Sequence, residues 1–127
     1  ETPFERVISL EMYRLANEAN MYYNFDIDLN TLTIQLAKYL AEDKGCFKWH
    51  QDDDVLFRGI KRKLTLMAII QPAEEGGLHE IDGGHEGLEE VTGSVVSFPS
   101  FLGHQVTPVE KGDRYSIVCW ISGPEWK

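Results

Sequence analysis

His50 and Asp52 are two side chains whose types and spacing could bind a metal ion. One residue separates them, so an extended backbone would project both side chains to the same face. His104 lies between a glycine and a strand-like run much later in the chain, and we expect it to supply a third ligand. Two histidines and one carboxylate leave coordination positions open, which is typical of non-haem Fe(II) oxygenase sites. A structural zinc site would be closed by four ligands, commonly including cysteine.

Asp52 begins a run of three acidic residues, and only one of the three is predicted to be a ligand. In extended geometry Asp53 points away from His50, and Asp54 would share its face only if the strand continued that far. We therefore predict Asp52 as the ligand and Asp53 and Asp54 as a solvated turn. Arg114 follows His104 at the start of another strand-like run, where its planar guanidinium could grip a carboxylate with two hydrogen bonds.

The order of these residues resembles that of the Fe(II)- and 2-oxoglutarate-dependent oxygenases, and the chain is most similar to their prolyl 4-hydroxylase-like branch. The similarity runs from about Thr33 to Lys127. It is specific for the cofactor chemistry and says little about the substrate. The matching residues are Tyr39, Gly45, His50-x-Asp52, Arg62-Lys63-Leu64-Thr65, Gly76-Gly77, Phe98-Pro99-Ser100, His104-Gln105-Val106-x-Pro108-Val109 and Gly112-x-Arg114-x-Ser116.

The resemblance implies a 2-oxoglutarate/Fe(II)-dependent dioxygenase that hydroxylates an unactivated C–H bond of a peptidyl, prolyl side chain. The reaction would consume 2-oxoglutarate and O2 and form succinate and CO2, with ascorbate in a supporting role. His50, Asp52 and His104 would hold Fe(II) and form the catalytic centre. The protein would hold the metal, aim the substrate carbon and exclude water.

The resemblance also implies a binding site for the distal carboxylate of 2-oxoglutarate. Arg114 would bind this carboxylate, and Ser116 and Tyr39 would add hydrogen bonds. Trp120 faces the same way as Arg114 on the predicted strand, and it is either a core residue or a wall of the co-substrate pocket. The charges of Fe(II), Asp52, 2-oxoglutarate and Arg114 cancel, which makes burial of the site tolerable.

Periodicity predicts a mainly β fold with an N-terminal helix over Glu5–Asn20, a sandwich or barrel core, and short strands separated by turns. The resemblance narrows this to a double-stranded β-helix, which is a jelly-roll or cupin-like fold. Tyr22–Asp28 could be a strand or an extended connection, and Gln71–Gly77, Asp82–Gly87 and Glu110–Asp113 are predicted turns or loops. The predicted strands are Leu32–Tyr39, Phe47–Asp52, Lys63–Ile70, Leu78–Ile81, Val91–Phe98, His104–Pro108 and Arg114–Ser122.

Length and charge restrict the kinds of partner. The chain has 127 residues, and we expect residues 1–127 to form a single domain. Because the sequence begins at Glu1 rather than methionine, native N-terminal residues could be missing. The net charge of −9 disfavours nucleic acid and is compatible with a peptide or protein substrate. Apolar runs are too short to cross a membrane, and no leader is visible, so we expect a cytoplasmic setting. The basic residues Arg58, Lys61, Arg62 and Lys63 are interpreted as a solvated strand edge.

A second group of potential ligands leaves an alternative function open. His79 and His85 lie near Glu80, Asp82 and Glu86 in a glycine-rich region. We interpret this region as a mobile lid beside the site rather than a second metal site. The alternatives to peptide hydroxylation are the same chemistry on a nucleic-acid base or small metabolite, and a non-catalytic, cupin-type metal- or ligand-binding module. The cupin-type module would use these two histidines beside His104.

Overall fold

The computed structural model describes residues 2–53, 55–57, 59–83 and 90–126. One helix precedes a series of antiparallel strands, as the sequence predicted, and a short 3-10 helix lies between the first two strands. No helix in these described ranges is long and apolar enough to cross a membrane. The elements are α1 (Pro3–Tyr23), β1 (Asp28–Tyr39), the 3-10 helix (Ala41–Asp43), β2 (Phe47–His50), β3 (Val55–Phe57), β4 (Ile60–Gln71), β5 (Glu75–Gly76), β6 (His79–Ile81), β7 (Val95–Pro99), β8 (His104–Val106), β9 (Val109–Lys111) and β10 (Arg114–Pro124).

Helix α1 is longer at both ends than the periodicity predicted. Thr2 accepts a hydrogen bond from the backbone N–H of Glu5, and the Glu5 carboxylate accepts one from the backbone N–H of Thr2, which forms a capping box. At the other end the helix continues through Tyr22, and Asn24 ends it in the left-handed conformation. The expectation that a strand or extended connection begins at Tyr22 was therefore wrong.

The strands form two facing layers. In the larger sheet the order is β1, β10, β4 and β3, and β7 also pairs with β4. A smaller sheet has the order β2, β8 and β6, and β5 pairs with β9. The smaller sheet carries two of the predicted metal ligands, whereas the larger sheet carries Arg114, so the fold brings the two parts of the candidate site together across the space between the sheets.

Alternation along β4 and β10 separates a hydrophobic core from a cavity. Leu64 and Leu66 on β4 and Cys119 on β10 are buried against α1, which contributes Met12 and Ala16 to the same core. The residues between them face the opposite side of the sheet, as the two-residue period of a strand requires. Cys119 is fully buried in this core.

Strands β9 and β7 differ from the predictions. Val109–Lys111 is a strand that pairs with β5, although Glu110–Asp113 was predicted as a turn and Gln71–Gly77 as a loop. Strand β7 begins at Val95 rather than Val91, because the N–H of Ser94 bonds to the carbonyl of Val91 and closes a turn. A strand pair as short as β5 and β9 shows too little periodicity to be recognised from sequence.

Gly76, on β5, lies where a side chain would not fit. Its φ is 71°, and a Cβ at this position would lie 2.2 Å from the carbonyl oxygen of Pro108. Gly59 has a similar φ of 65°, but a Cβ there would meet no atom of the described residues within 4 Å. The two glycines therefore share the same backbone constraint and differ in the space around them.

We expect Gly76→Ala to lower the free energy of unfolding by about 3 kcal/mol, and Gly59→Ala by only about 1 kcal/mol, because the first variant adds overpacking to left-handed strain. Urea unfolding of the two variants measures the difference. Equal losses would contradict the close approach of β5 to the backbone at Pro108.

The basic residues at the start of β4 do not form the solvated edge that we predicted. Lys63 is buried, with its ammonium 4.3 Å from the ring centre of Trp126. The Arg62 guanidinium lies 4.1 Å from the ring centre of Trp120. Aromatic rings from distant positions in sequence cover these cations. Lys61 pairs with Asp53 at 3.6 Å, and Arg58 lies outside the described residues.

Candidate active site

A cavity of about 420 Å³ lies between the two sheets. This volume falls within the usual range for small-molecule sites. Its walls combine apolar side chains with a few polar groups that converge on one space. The lining residues are Gln35, Ala37, Tyr39, Phe47, His50, Gln51, Asp52, Arg62, Thr65, Met67, His79, Phe98, His104, Val106, Arg114, Ser116, Val118 and Trp120.

His50, Asp52 and His104 converge at this cavity. His50 ends β2 directly opposite His104, which begins β8. The Nε2 atom of His50 lies 3.4 Å from Oδ1 of Asp52, and the Nε2 atom of His104 lies 3.2 Å from Oδ2. One potential ligand atom from each of the three residues lies within 4.8 Å of the other two. The structure thus brings together the three residues that the sequence predicted as ligands.

The position of Asp52 depends on a contact that strand periodicity did not predict. Strand β2 ends at His50, so Asp52 does not lie on the predicted extended strand. Its backbone N–H donates a 2.9 Å hydrogen bond to the carbonyl of Ser100, which follows β7. A contact between the two sheets, rather than strand periodicity, therefore places the carboxylate.

Both histidines hold their rings in an orientation that suits metal binding. Nδ1 of His50 lies 2.7 Å from the carbonyl of Lys48, and Nδ1 of His104 lies 3.1 Å from the carbonyl of Leu102. A proton on Nδ1 that is donated to a carbonyl leaves Nε2 as a lone-pair donor. Both Nε2 atoms face Asp52, so two imidazole nitrogens and one carboxylate oxygen are directed at one point.

The carboxyl of Asp52 is buried and kept in its charged form. Burial raises its pKa, but hydrogen bonding and charge interactions with His104, supported by Trp120 and His50, outweigh burial and lower the pKa below its usual value. An ionised carboxylate beside two imidazole nitrogens is a donor set that fits Fe(II) or a similar divalent cation.

Thr65 and Ser100 support the Asp52 carboxylate from behind. The hydroxyl of Thr65 donates a 3.2 Å hydrogen bond to Oδ2 of Asp52 and lies 2.8 Å from the hydroxyl of Ser100. All three side chains are buried. Hydrogen bonds of this kind fix the orientation of a ligand and tune its affinity for a metal. Both residues matched the family pattern in sequence, but no role was predicted for them.

We expect Thr65→Val, which keeps the shape of the side chain and removes its hydroxyl, to weaken Fe(II) binding by about 10-fold because the Asp52 carboxylate loses a hydrogen bond. Anaerobic titration with Fe(II), or with Co(II) as a stable substitute, measures the change. Thr33→Val, the same substitution at an exposed position on β1, is the control. An affinity equal to that of the control would show that Thr65 does not support the ligand.

Arg114 lies at the cavity wall and is fully buried. Its Nη1 atom lies 3.4 Å from the hydroxyl of Ser116, two residues further along the same strand face. Its guanidinium carbon lies 5.5 Å from the ring centre of Tyr39. Burial raises the pKa of the Tyr39 hydroxyl, which therefore stays protonated at neutral pH. The structure places these three residues around one part of the cavity, and their role toward a carboxylate remains a prediction.

Trp120 forms part of the cavity wall, which was one of its two predicted positions. Its indole Nε1 is buried and makes no hydrogen bond of good geometry to the described residues. The indole N–H helps to stabilise the charged Asp52 carboxylate, although its geometry falls short of a regular hydrogen bond.

The described members of the second group of potential ligands, His79, Glu80 and Asp82, do not form a metal-binding cluster with one another. His79 is buried in the cavity wall, with its ring centre 5.4 Å from that of His104, and burial lowers its pKa to about 3, so it is neutral at pH 7. The Glu80 carboxylate accepts a hydrogen bond from Gln105 instead. Asp82 borders a shallow groove beside Trp49. His85 and Glu86, together with Gly87, lie outside the described residues.

Glu90, whose side chain is only 7% exposed, contacts the candidate site and was not predicted from the sequence. Its carboxylate forms two hydrogen bonds to Arg114. An acidic pair such as Glu89-Glu90 after a glycine-rich stretch ordinarily indicates a solvated loop, so composition gave no signal. Only the path of the chain past the start of β10 shows that one of these acids faces inward.

Two curated relatives are similar to more than half of the chain. The chain is 38% identical over 80 residues to a PKHD-type hydroxylase from Synechococcus sp. (strain CC9605), covering 59% of this chain and 36% of the relative. It is 34% identical over 79 residues to a PKHD-type hydroxylase from Hyphomonas neptunium (strain ATCC 15444), covering 57% and 35%. The chain thus spans about a third of the length of these relatives.

Solved structures share the fold. A Pseudomonas putida prolyl-4-hydroxylase matches with a TM-score of 0.76 at 18% identity, covering 98% of this chain and 68% of that one. The viral collagen prolyl hydroxylase of Paramecium bursaria Chlorella virus-1, in its 2OG complex, matches with a TM-score of 0.73 at 18% identity, covering 97% and 76%. These similarities confirm the predicted double-stranded β-helix.

The chain also matches a family model. The model described as the 2OG-Fe(II) oxygenase superfamily matches residues 34–122, a range that contains the converging histidines and aspartate, the buried arginine and the strands that position them. The match extends over more than half of the sequence, and the resemblance inferred from the residues is confirmed. The chain belongs to the 2OG-Fe(II) oxygenase superfamily.

Proposed function

We propose that residues 1–127 form a single dioxygenase domain that hydroxylates an unactivated C–H bond at the expense of 2-oxoglutarate. One molecule each of 2-oxoglutarate, O2 and substrate would give succinate, CO2 and the hydroxylated product, with one oxygen atom in the succinate and the other in the new hydroxyl. The observation that carries the proposal is the convergence of His50, Asp52 and His104 on a cavity whose wall contains the buried Arg114.

Each part of the cavity would have a separate task. His50, Asp52 and His104 would hold Fe(II), which when bound supplies the redox chemistry that activates O2. Arg114 and Ser116 would bind the distal carboxylate of 2-oxoglutarate, and the Tyr39 hydroxyl would donate to the same group. The remaining wall is largely apolar and would limit the access of water to the reaction. Its apolar members include Met67, Phe98, Val106 and Val118.

We propose a peptidyl, prolyl side chain as the substrate. The curated relatives are named PKHD-type hydroxylases, and the similar structures are prolyl hydroxylases. Phe47 and Trp49 on β2 each expose about half of their surface beside the predicted ligands, where an extended peptide could pack on their rings. The net charge of −9 disfavours a nucleic-acid substrate.

The reaction is tested with purified protein, Fe(II) and ascorbate, with and without 2-oxoglutarate. We expect succinate to form only with 2-oxoglutarate, and to form faster with proline-containing peptides, which gain the mass of one oxygen atom. A set of oligonucleotides and small metabolites tests the alternative substrates. Absence of succinate under all conditions would contradict the proposal, and stimulation by oligonucleotides alone would redirect it to nucleic-acid bases.

A non-catalytic, cupin-type module is less well supported than the oxygenase. Such a module would use His79 beside His104, but His79 is not a member of the ligand cluster that the described residues form. It would also leave the buried guanidinium of Arg114 in the cavity wall without a ligand to bind. If the protein binds metal but binds no 2-oxoglutarate, the cupin-type function becomes the better explanation.

A further inference from the structure

Arg114 is held by a partner that is not part of the cavity lining. Its Nε donates a 2.8 Å hydrogen bond to Oε1 of Glu90, and its Nη2 donates a 2.9 Å hydrogen bond to Oε2. The backbone N–H of His79 donates a 3.3 Å hydrogen bond to the same Oε2 atom, so β6 in turn holds Glu90. The side chain of Glu90 is 7% exposed, and that of Arg114 is fully buried. This is a bidentate ion pair in a buried environment.

The remaining donors of Arg114 are directed at the cavity. Nη1 lies 3.4 Å from the Ser116 hydroxyl and Nη2 lies 3.3 Å from Sδ of Met67. Ser116 and Met67 both line the cavity, whereas Glu90 does not. The guanidinium therefore has its Nε edge turned to Glu90, and its Nη1–Nη2 edge turned toward weak or long partners that a carboxylate could replace.

Building on the proposed function, we propose that Glu90 is the positioning residue of the co-substrate site. It fixes the plane of the Arg114 guanidinium so that the Nη1–Nη2 edge meets the distal carboxylate of 2-oxoglutarate. An arginine side chain has several rotatable bonds, and ordering it before binding removes that entropic cost from the binding step. Glu90 also neutralises a charge that would otherwise be buried without a partner.

The experiment compares two ligands that differ only in the distal group. 2-Oxopentanoate has the five-carbon chain and 2-oxo acid of 2-oxoglutarate, but a methyl group replaces the distal carboxylate. Affinities of both ligands are measured by anaerobic calorimetry on the Mn(II)-loaded protein, for the wild type, Glu90→Gln and Glu90→Ala. Glu74→Gln, which removes the same charge from the exposed pair with Lys111, is the matched control.

We expect Glu90→Ala to weaken 2-oxoglutarate binding by about 10-fold or more, the loss expected when hydrogen bonds that orient a charged group are removed. Glu90→Gln, which keeps one acceptor and the side-chain shape, should fall between Glu90→Ala and the wild type. Affinity for 2-oxopentanoate and for Mn(II) should not change, and Glu74→Gln should behave as the wild type. Glu90→Gln also gives a reading if the alanine variant does not fold.

Three results would overturn the role of Glu90. Equal weakening of both ligands would show that Glu90 only supports the fold. Tighter binding of 2-oxoglutarate to the variants would show that Glu90 competes for the site of the distal carboxylate. Unchanged binding would show that Arg114 needs no support. The proposed function fails separately, if the wild type does not prefer 2-oxoglutarate over 2-oxopentanoate or if Arg114→Ala keeps that preference.

Discussion

Asp52→Ala is expected to weaken Fe(II) binding by at least about 100-fold and to abolish succinate formation, because it removes a proposed metal ligand rather than a residue that orients one. The carboxylate supplies the only negative charge among the three predicted ligands, and both histidine Nε2 atoms face it. Without it, two imidazoles would remain, which is too few donors to retain the ion. Anaerobic Fe(II) titration and a succinate assay measure the two effects.

Asp53→Ala is the matched control for this prediction. Asp53 is the next residue, carries the same charge and pairs with Lys61 at 3.6 Å. We expect its replacement to leave Fe(II) affinity within about 2-fold of the wild type, as for a weak ion pair near the surface. Loss of metal binding in Asp53→Ala with retention in Asp52→Ala would show that the wrong acid of the run was assigned as the ligand.

Arg114→Ala is expected to raise the KM for 2-oxoglutarate by about 100-fold, because a bidentate, charge-assisted contact with the distal carboxylate is lost. Fe(II) affinity should be retained, since the predicted ligands are on other elements. The variant should also lose about 3 kcal/mol of unfolding free energy, because Glu90 would be left as a buried charge without its partner. Steady-state kinetics, Fe(II) titration and urea unfolding give the three quantities.

The double variant Arg114→Ala/Glu90→Ala separates binding from stability. Removing both members of the pair should recover much of the unfolding free energy, because no unpaired charge remains, while the KM for 2-oxoglutarate should stay high. Arg14→Ala, on the exposed face of α1, controls for the loss of a guanidinium from the surface. Recovery of the KM in the double variant would contradict a direct contact between Arg114 and the co-substrate.

The proposed ligands could be predicted from the sequence because the prediction depends on residue type and order. The sequence predicted His50, Asp52, His104 and Arg114 as site residues, and the structure places all four around one cavity. The geometric reason given for Asp52 was nevertheless incomplete. The strand stops at His50, and a hydrogen bond to Ser100 on the other side of the barrel positions the carboxylate. Strand periodicity cannot predict a contact of this kind.

The supporting residues were not predictable for a related reason. Thr65 and Glu90 act through partners that are distant in sequence, and each is unremarkable in its local context. Lys63 and Arg62 were mispredicted for the same reason. Their charges suggested a solvated strand edge, but tryptophans from the C-terminal part of the chain cover them. Local patterns identify strands and ligands, whereas side-chain partners across the barrel depend on the complete topology.

Anomalous diffraction from anaerobic crystals of the protein with Fe(II) and 2-oxoglutarate tests the central claim most directly. We expect one iron peak within bonding distance of Nε2 of His50, Nε2 of His104 and a carboxylate oxygen of Asp52. We also expect the distal carboxylate of 2-oxoglutarate to contact Arg114. An iron bound by other residues, or a 2-oxoglutarate whose distal carboxylate lies away from Arg114, would contradict this claim.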